Sequence, residues 1–374
     1  MKKLLILSFS RLESDPRVTR QIELFHEDWE VSTCGYGPTP AGSIRHFSVP
    51  DECPVWRYPR ALVIARQYRR AYRGNAAIAW AIEHLPIEEF DAVLANDVDA
   101  AGVAVVLRPI NGFHADLHEF APLQNSEMLR FRLFVAPFVK WQLRTFVSQA
   151  ASTSTVGFAI ADRYRREYGL DPAVVMNAPP LADLSPQPVE APIRLVHAGA
   201  ALRNRRLELL IEAVRATRTD VTLDLYLPPN DPGYLEELRA LAAGEDRVTF
   251  REPVPFDRLV ATLNGYDVGL HLLAPTNYNN ANALPNKFFE YVQARLGLII
   301  GPSPEMTSVM SGYGFGLTTS DFTADALTTV LDGLTPERVG ELKQAADAAA
   351  PVLCSATQAA GWVTAMSRLR DAAR

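Results

Sequence analysis

Short apolar runs of strand length recur along this chain with helix-length stretches between them, and this alternation limits the fold more than any other feature. "LLILSF" (4–9), "EVSTCGYG" (30–37), "DAVLAND" (91–97), "AVVLRPI" (104–110) and "ASTSTVG" (151–157) read as strands. Strands spaced by helices imply βαβ units and a doubly wound parallel sheet. The pattern stops at "PPLADLSPQPVEAP" (179–192), five prolines in fourteen residues without periodicity, the composition of a linker. It restarts with "IRLVHAG" (193–199), a helix from about Leu207 to Arg215, "VTLDLYL" (221–227), "RVTFRE" (247–252), a helix over 256–264, "DVGLHLL" (267–273), a helix opened by Pro285, and "GLIIG" (297–301). The expected fold class is therefore α/β, with two doubly wound Rossmann-like domains: residues 1–180, a linker over 181–192, residues 193–356, and a last segment, 357–374. That final helix follows both completed sheets, so it can pack on either domain. At 374 residues the chain exceeds what one hydrophobic core serves, in keeping with two. Open sheets of this kind bind ligands outside the carboxyl ends of their strands, so the expected site is a cleft that the two domains face.

Composition narrows the class further. An apolar content of 48% with 21% charge excludes a disordered or membrane-embedded chain, and no apolar run reaches the roughly 18 residues of a spanning helix. Arg11, Glu13 and Asp15 interrupt the first apolar run too early for a secretory signal. Cys34, Cys53 and Cys354 form neither a metal spacing nor a disulfide framework, so a cytoplasmic location is expected. Residues 1–180 balance their charges, which leaves the net −6 in the second half. Even so, residues 53–82 carry six arginines and no acid.

Three stretches offer chemistry. In "HAGAALRNRRLELLIEAV" (197–214) a strand ends at Gly199, and Arg203, Arg205 and Arg206 precede a helix. Glycine permits close backbone approach, and guanidinium groups and helix amides bind phosphate. Cations at a helix start are electrostatically unfavourable on their own, which favours phosphate binding over simple solvation. In "NALPNKFFEY" (282–291) Asn286 and Lys287 open a helix after Pro285, with Lys287 again a cation at a helix start. Lys287 and Glu290 are i,i+3 neighbours, so a surface ion pair is the competing reading. In "HADLHEFAP" (114–122), read as a loop after the run 104–110, His114, Asp116, His118 and Glu119 raise a metal site, which would want further ligands. The other readings are a histidine that bonds a hydroxylated ligand and a packed loop histidine.

Two further segments, 55–74 and 129–147, mix Arg or Lys with aromatic and aliphatic residues and contain no acid. They read either as interfacial elements attracted to an anionic membrane or as structural helices with snorkelling cations. No recognised motif supports nucleic acid as a partner.

Seven blocks in order, "SDPRVTRQIELF" (14–25), "FDAVLANDVDA" (90–100), "DLHEFAP" (116–122), "VVMNAP" (174–179), "LVHAGAALRNRRLELLIEA" (195–213), "YDVGLHLL" (266–273) and "LPNKFFEY" (284–291), resemble the signature blocks of family-4 retaining glycosyltransferases with the GT-B fold. The resemblance spans essentially the whole chain. It implies a nucleotide-diphosphate sugar donor, UDP- or GDP-linked, held by the C-terminal domain, and a hydroxyl acceptor held by the N-terminal one. It also implies no metal and no other cofactor, and a C-terminal helix that crosses back to the first domain. By position, Glu290 resembles the acid that holds the ribose hydroxyls, Arg205 stands in the diphosphate-binding pair, and His118 resembles the histidine that contacts the transferred sugar. Lys287, Asn286 and Gly199 would face the phosphates, while Asp97, Asp116 and Glu119 fall on the acceptor side. Departures are equally specific. Asn282 stands where the family has its first Glu, Ala200 replaces an Arg, Arg295 and Gly297 replace a Gly and a Pro, and "SFSRLES" replaces a glycine-rich loop; Arg203 or Arg206 would supply the missing cation. The implied activity is transfer of a hexose-type sugar in polysaccharide, glycolipid or related glycoconjugate synthesis; the segments 55–74 and 129–147 add the expectation of a peripheral location on the inner face of the plasma membrane and of a lipid-linked acceptor. Ala200 and Asn282 also motivate a non-catalytic nucleotide-sugar-binding partner of another transferase, and the same fold admits a nucleotide-sugar epimerase.

Overall fold

A computed structural model describes residues 1–372. The chain forms two compact units. The first comprises Met1–Met176, Asn277–Asn279 and the residues from Ala359 on, and the second Asn177–Thr276 and Asn280–Gln358.

The first unit is built on a seven-stranded sheet of β1 (Lys2–Arg11), β2 (Trp29–Tyr36), β3 (Arg45–Ser48), β4 (Ala92–Asn96), β5 (Phe113–Leu117), β6 (Ser152–Thr155) and β7 (Ala173–Val174). Every pairing is parallel, in the order β3-β2-β1-β4-β5-β6-β7. Parallel sheets are covered on both faces, so their strands are apolar on both sides, and Leu4, Leu5, Ile6 and Leu7 of β1 are all fully buried. Alternation divides them. Leu5 and Leu7 join a core with Val93, Val103 and Phe138. Leu4 and Ile6 pack with Val18 and Ile22 of the helix Pro16–Phe25 and with Trp362 and Met366 of the last helix, Ala360–Asp371.

One strand expectation is overturned here. Residues 104–107 of the run 104–110 belong to the helix Asp97–Leu107, which Arg108 ends in the left-handed conformation just before Pro109. That helix is buried on nearly every side, so its apolar residues show no helical stripe, and a continuous apolar run does not distinguish strand from helix. The strand lies instead at Phe113–Leu117, inside the stretch expected to be a loop. His114 and Asp116 are fully buried there, and their polarity hid the strand. The short strands β3 and β7 were not anticipated.

The second unit carries a six-stranded parallel sheet of β8 (Ile193–Ala198), β9 (Val221–Tyr226), β10 (Val248–Arg251), β11 (Val268–His271), β12 (Gly297–Ile300) and β13 (Gly316–Thr318), ordered β10-β9-β8-β11-β12-β13. β8, β9, β10, β11 and β12 match the sequence reading closely. So do the helices Glu208–Ala216, Phe256–Leu263 and Asn286–Gln293. Helices over Pro232–Leu241, Pro304–Tyr313, Ala324–Asp332 and Pro336–Ala349 complete the layers. The proline-rich stretch has no helix or strand, yet it is pinned: Ala182 N–H donates to Gln293 at 3.0 Å, and Arg295 donates to Ala182 O at 2.9 Å. Arg295 also binds Asp347 at 2.6 Å, so this departure from the family pattern serves packing.

Candidate functional site

In the second unit the ends of β8 and β11 and the starts of two helices form a small pocket. His197, Arg205, Arg206, His271 and Lys287 line it with four leucines. β8 ends at Ala198, and Gly199 follows with φ +153°. A Cβ at Gly199 would lie 2.1 Å from Lys287 Nζ, so glycine is what lets the ammonium lie against the backbone. His197 Nδ1 is 2.9 Å from Leu270 O and therefore carries the proton that it donates. Its Nε2 is then the acceptor that faces Lys287 Nζ, at 3.5 Å. Burial first and Lys287 second hold His197 well below the usual imidazole range, so it stays neutral. His271 is held down in the same way, and its buried Nε2 has no hydrogen-bond partner among the described residues. Such an atom calls for a partner from outside.

The cations here are not neutralised. Arg205 has no ion pair among the described residues, and burial lowers its pKa. Burial, then Arg205, holds Lys287 down to about 8, with Glu290 opposing. Lys287 and Glu290 form no ion pair within 4.0 Å, which removes the surface-pair reading. Glu290 is buried, its carboxyl has no hydrogen bond among the described residues, and it is pushed up by burial against the pull of Lys287. No side chain caps the helix Asn286–Gln293 or the helix Glu208–Ala216. Two bare helix starts and two unpaired cations are groups of the kind that can bind an anion. Arg206 takes the left-handed conformation, φ 50°, and turns the chain into its helix. Arg203 does not join the pocket lining. Its guanidinium is bidentate on Glu237, at 2.6 and 2.8 Å, so its assignment to the donor phosphates is not met. Asn282 is half-buried in the turn before Leu284, and Asn286 is the exposed first residue of its helix.

In the first unit, β5 ends one residue before His118, and β4 one residue before Asp97. Asp97 has φ +66°, a strained value for a residue other than glycine. Its Oδ1 accepts His118 N–H at 3.0 Å, while Oδ2 lies 3.2 Å from His118 Nδ1. His118 Nε2 donates to Asn96 Oδ1 at 3.1 Å, an oxygen that also accepts from Gln21. Burial alone would lower the His118 pKa, but Asp97 and Asp116 outweigh it and raise it. Both ring nitrogens are engaged, and the pull of Asp97 and Asp116 favours the protonated ring.

Asp116 stands behind it, fully buried. It takes Arg17 Nε at 2.7 Å and Nη2 at 2.6 Å, Gln21 at 2.8 Å and Ser154 at 2.6 Å, and burial is outweighed by Arg17 so that the carboxyl stays well below its usual range. This corrects the acceptor-side expectation for Asp116, which is enclosed and saturated and can only orient His118. His114 lies between Ser152 and Ser154, each at 2.8 Å, and burial lowers it to about 4. It is a packed core histidine, and among the described residues no three His, Cys, Asp or Glu side chains group as metal ligands. Glu119 is half-buried, accepts from Asn279 at 2.8 Å, and is pushed up to about 7 by burial and by Asp97. Sequence reasoning missed His197, His271, Arg17 and Asn96. The available signal was a polar residue within an otherwise apolar strand run, as in "LVHAG" and "DVGLHLL".

Two α/β units, each built on a parallel sheet covered by helices, are the architecture of the GT-B fold class. The solved structures agree on the fold. HepE from Anabaena, in complex with UDP-glucose, superposes with a TM-score of 0.70 at 14% identity over 98% of this chain and 100% of that one. Sucrose-phosphate synthase from Thermosynechococcus elongatus gives 0.69 at 14% over 100% of each chain. The lipopolysaccharide outer core galactosyltransferase WaaB gives 0.63 at 14% over 98% and 99%. Protein-family profiles give no match to this chain, and neither do curated proteins.

Proposed function

We propose that the protein is a glycosyltransferase that moves a hexose-type sugar from a UDP- or GDP-sugar to a hydroxyl acceptor, with retention and without a metal. The observation that carries this reading is the pocket at the end of β8, where Arg205 and Lys287 lie unpaired beside an orphaned His271 nitrogen. It suits a diphosphate, and fold neighbours include HepE in complex with UDP and with UDP-glucose. Glu290, buried without a partner, would accept from the ribose hydroxyls. In the reaction the bond from the anomeric carbon to the diphosphate oxygen breaks and a bond to the acceptor oxygen forms. The leaving diphosphate keeps the electron pair, and one of its oxygens takes the acceptor's proton. Lys287, Arg205 and the helix amides stabilise the charge that develops there, which is the dominant contribution in such transfers. His118 turns its Nε2–H from Asn96 Oδ1, which keeps Gln21 as a donor, to a sugar hydroxyl and so orients the sugar.

The test is thermal unfolding against UDP, GDP, ADP, TDP and CMP and their sugars. A nucleotide at a hundred times its dissociation constant adds about 2.7 kcal/mol of stability. One nucleotide diphosphate should raise the melting temperature, Glu290→Ala should lose that rise, and His118→Ala should keep it while slowing transfer by about 100-fold through lost positioning. No response to any nucleotide, or an equal response in Glu290→Ala, would defeat the assignment. A stabilising nucleotide-sugar that yields an epimer without acceptor would redirect it to isomerisation.

A further inference from the structure

Two acid-free segments of the first unit, far apart in sequence, come together in one surface. The short helix Arg60–Ile64 lies against the turn Phe131–Val135. Tyr58 and Tyr68 pack on Phe138, with ring centroids 4.8 and 5.5 Å apart. Val63, Tyr72, Phe131 and Phe138 are buried and hold the segments to the core, which accounts for part of their apolar content.

What stays outside is not accounted for by packing. Trp56 is 74% exposed, Ile64 56%, Leu133 52% and Phe134 37%. Around them Arg57, Arg60, Arg66, Arg69, Arg130 and Arg132 are exposed and form no ion pair among the described residues. No Asp or Glu occurs between Glu52 and Glu83 or between Glu127 and Asp162. Large exposed apolar side chains mark an interaction site.

We propose that this face seats the protein on an anionic lipid surface, with the arginines against headgroup phosphates and Trp56, Ile64, Leu133 and Phe134 at the acyl boundary. Cations interleaved with exposed aliphatics are what an interfacial element needs. Arginine and aromatic residues also occur at protein interfaces, but so many unpaired arginines with no acid beside them suit a surface of uniform negative charge, and nucleic acid would leave Ile64 and Leu133 in water. No helix among the described residues is long and apolar enough to cross a membrane. It is independent of the transfer reaction.

Flotation with vesicles of phosphatidylcholine alone and of phosphatidylcholine with phosphatidylglycerol tests it. The protein should float with the anionic vesicles only, and less as salt rises. Each exposed arginine replaced, as in Arg57→Gln and Arg60→Gln, should lower partitioning about five-fold. Leu133→Ser with Phe134→Ser should lower it at constant charge, and unchanged thermal unfolding of both variants would show that the fold is kept. Equal binding to neutral vesicles, insensitivity to both sets of substitutions, or capture by an oligonucleotide but not by vesicles would overturn the proposal.

Discussion

Lys287 shows how far a single residue's surroundings set its chemistry. Burial and Arg205 bring its pKa from 10.5 to about 8 in the folded protein, so the empty site holds its proton less tightly than an unfolded chain does. The folded pKa is depressed, and the unfolded state binds more protons between the two values; stability of the empty protein therefore rises with pH from about 8 towards 10.5. A bound diphosphate acts in the other sense, because it favours the ammonium. Nucleotide affinity should be flat near neutrality and fall by up to about tenfold per pH unit above pH ~8, as binding takes up one proton. Calorimetry across that range checks this, and Lys287→Met should bind weakly with no such dependence. A flat wild-type profile would remove Lys287 from the phosphate site. The residue and its position at a helix start were legible in the sequence, because a cation there asks for an anion. The role of His197 was not: it depends on a carbonyl of β11 fixing the tautomer, and no spacing encodes that contact.

At the scale of elements, three parts of the chain converge beneath His118. The helix Pro16–Phe25 supplies Arg17, β5 supplies Asp116, and the last helix supplies Trp362, whose ring lies 4.5 Å from the Arg17 guanidinium and whose N–H donates to Ser154 at 3.1 Å. Breaking a buried pair by removing one partner leaves an uncompensated charge. Arg17→Met should therefore destabilise the protein by ~3–5 kcal/mol, read from denaturant unfolding. A loss below about 1 kcal/mol, the size of an exposed pair, would show that the pair is not the buried support described. Asp15 caps the helix Pro16–Phe25, its side chain accepting from Arg17 N–H at 3.1 Å. The strand Phe113–Leu117 was not readable. Its polar side chains are buried only because Arg17 and the serines of β6 reach them, so burial there is a tertiary fact that hydropathy cannot carry.

For the molecule as a whole, each compact unit has its own sheet and core, and the candidate nucleotide site draws on the second alone. A saturating nucleotide should slow amide exchange in residues 193–214 and 268–293 and leave the buried amides of β1 and β4 unchanged, since linkage stabilises first the unit that binds. Equal protection in β1 and β4, with none at 193–214, would place the site elsewhere. The sequence by itself determined the α/β class, the strands β1, β2, β4, β6, β8, β9, β10, β11 and β12 within a residue or two, and the two cationic helix starts, because periodicity and helix-end chemistry are local. Tertiary structure alone decided that Asp116 and His114 are enclosed, that Arg203 is held by Glu237, that Lys287 and Glu290 stay apart, and that segments 55–74 and 129–147 share a face. Each of those outcomes depends on which distant side chain arrives at hydrogen-bond distance, and that is set by packing.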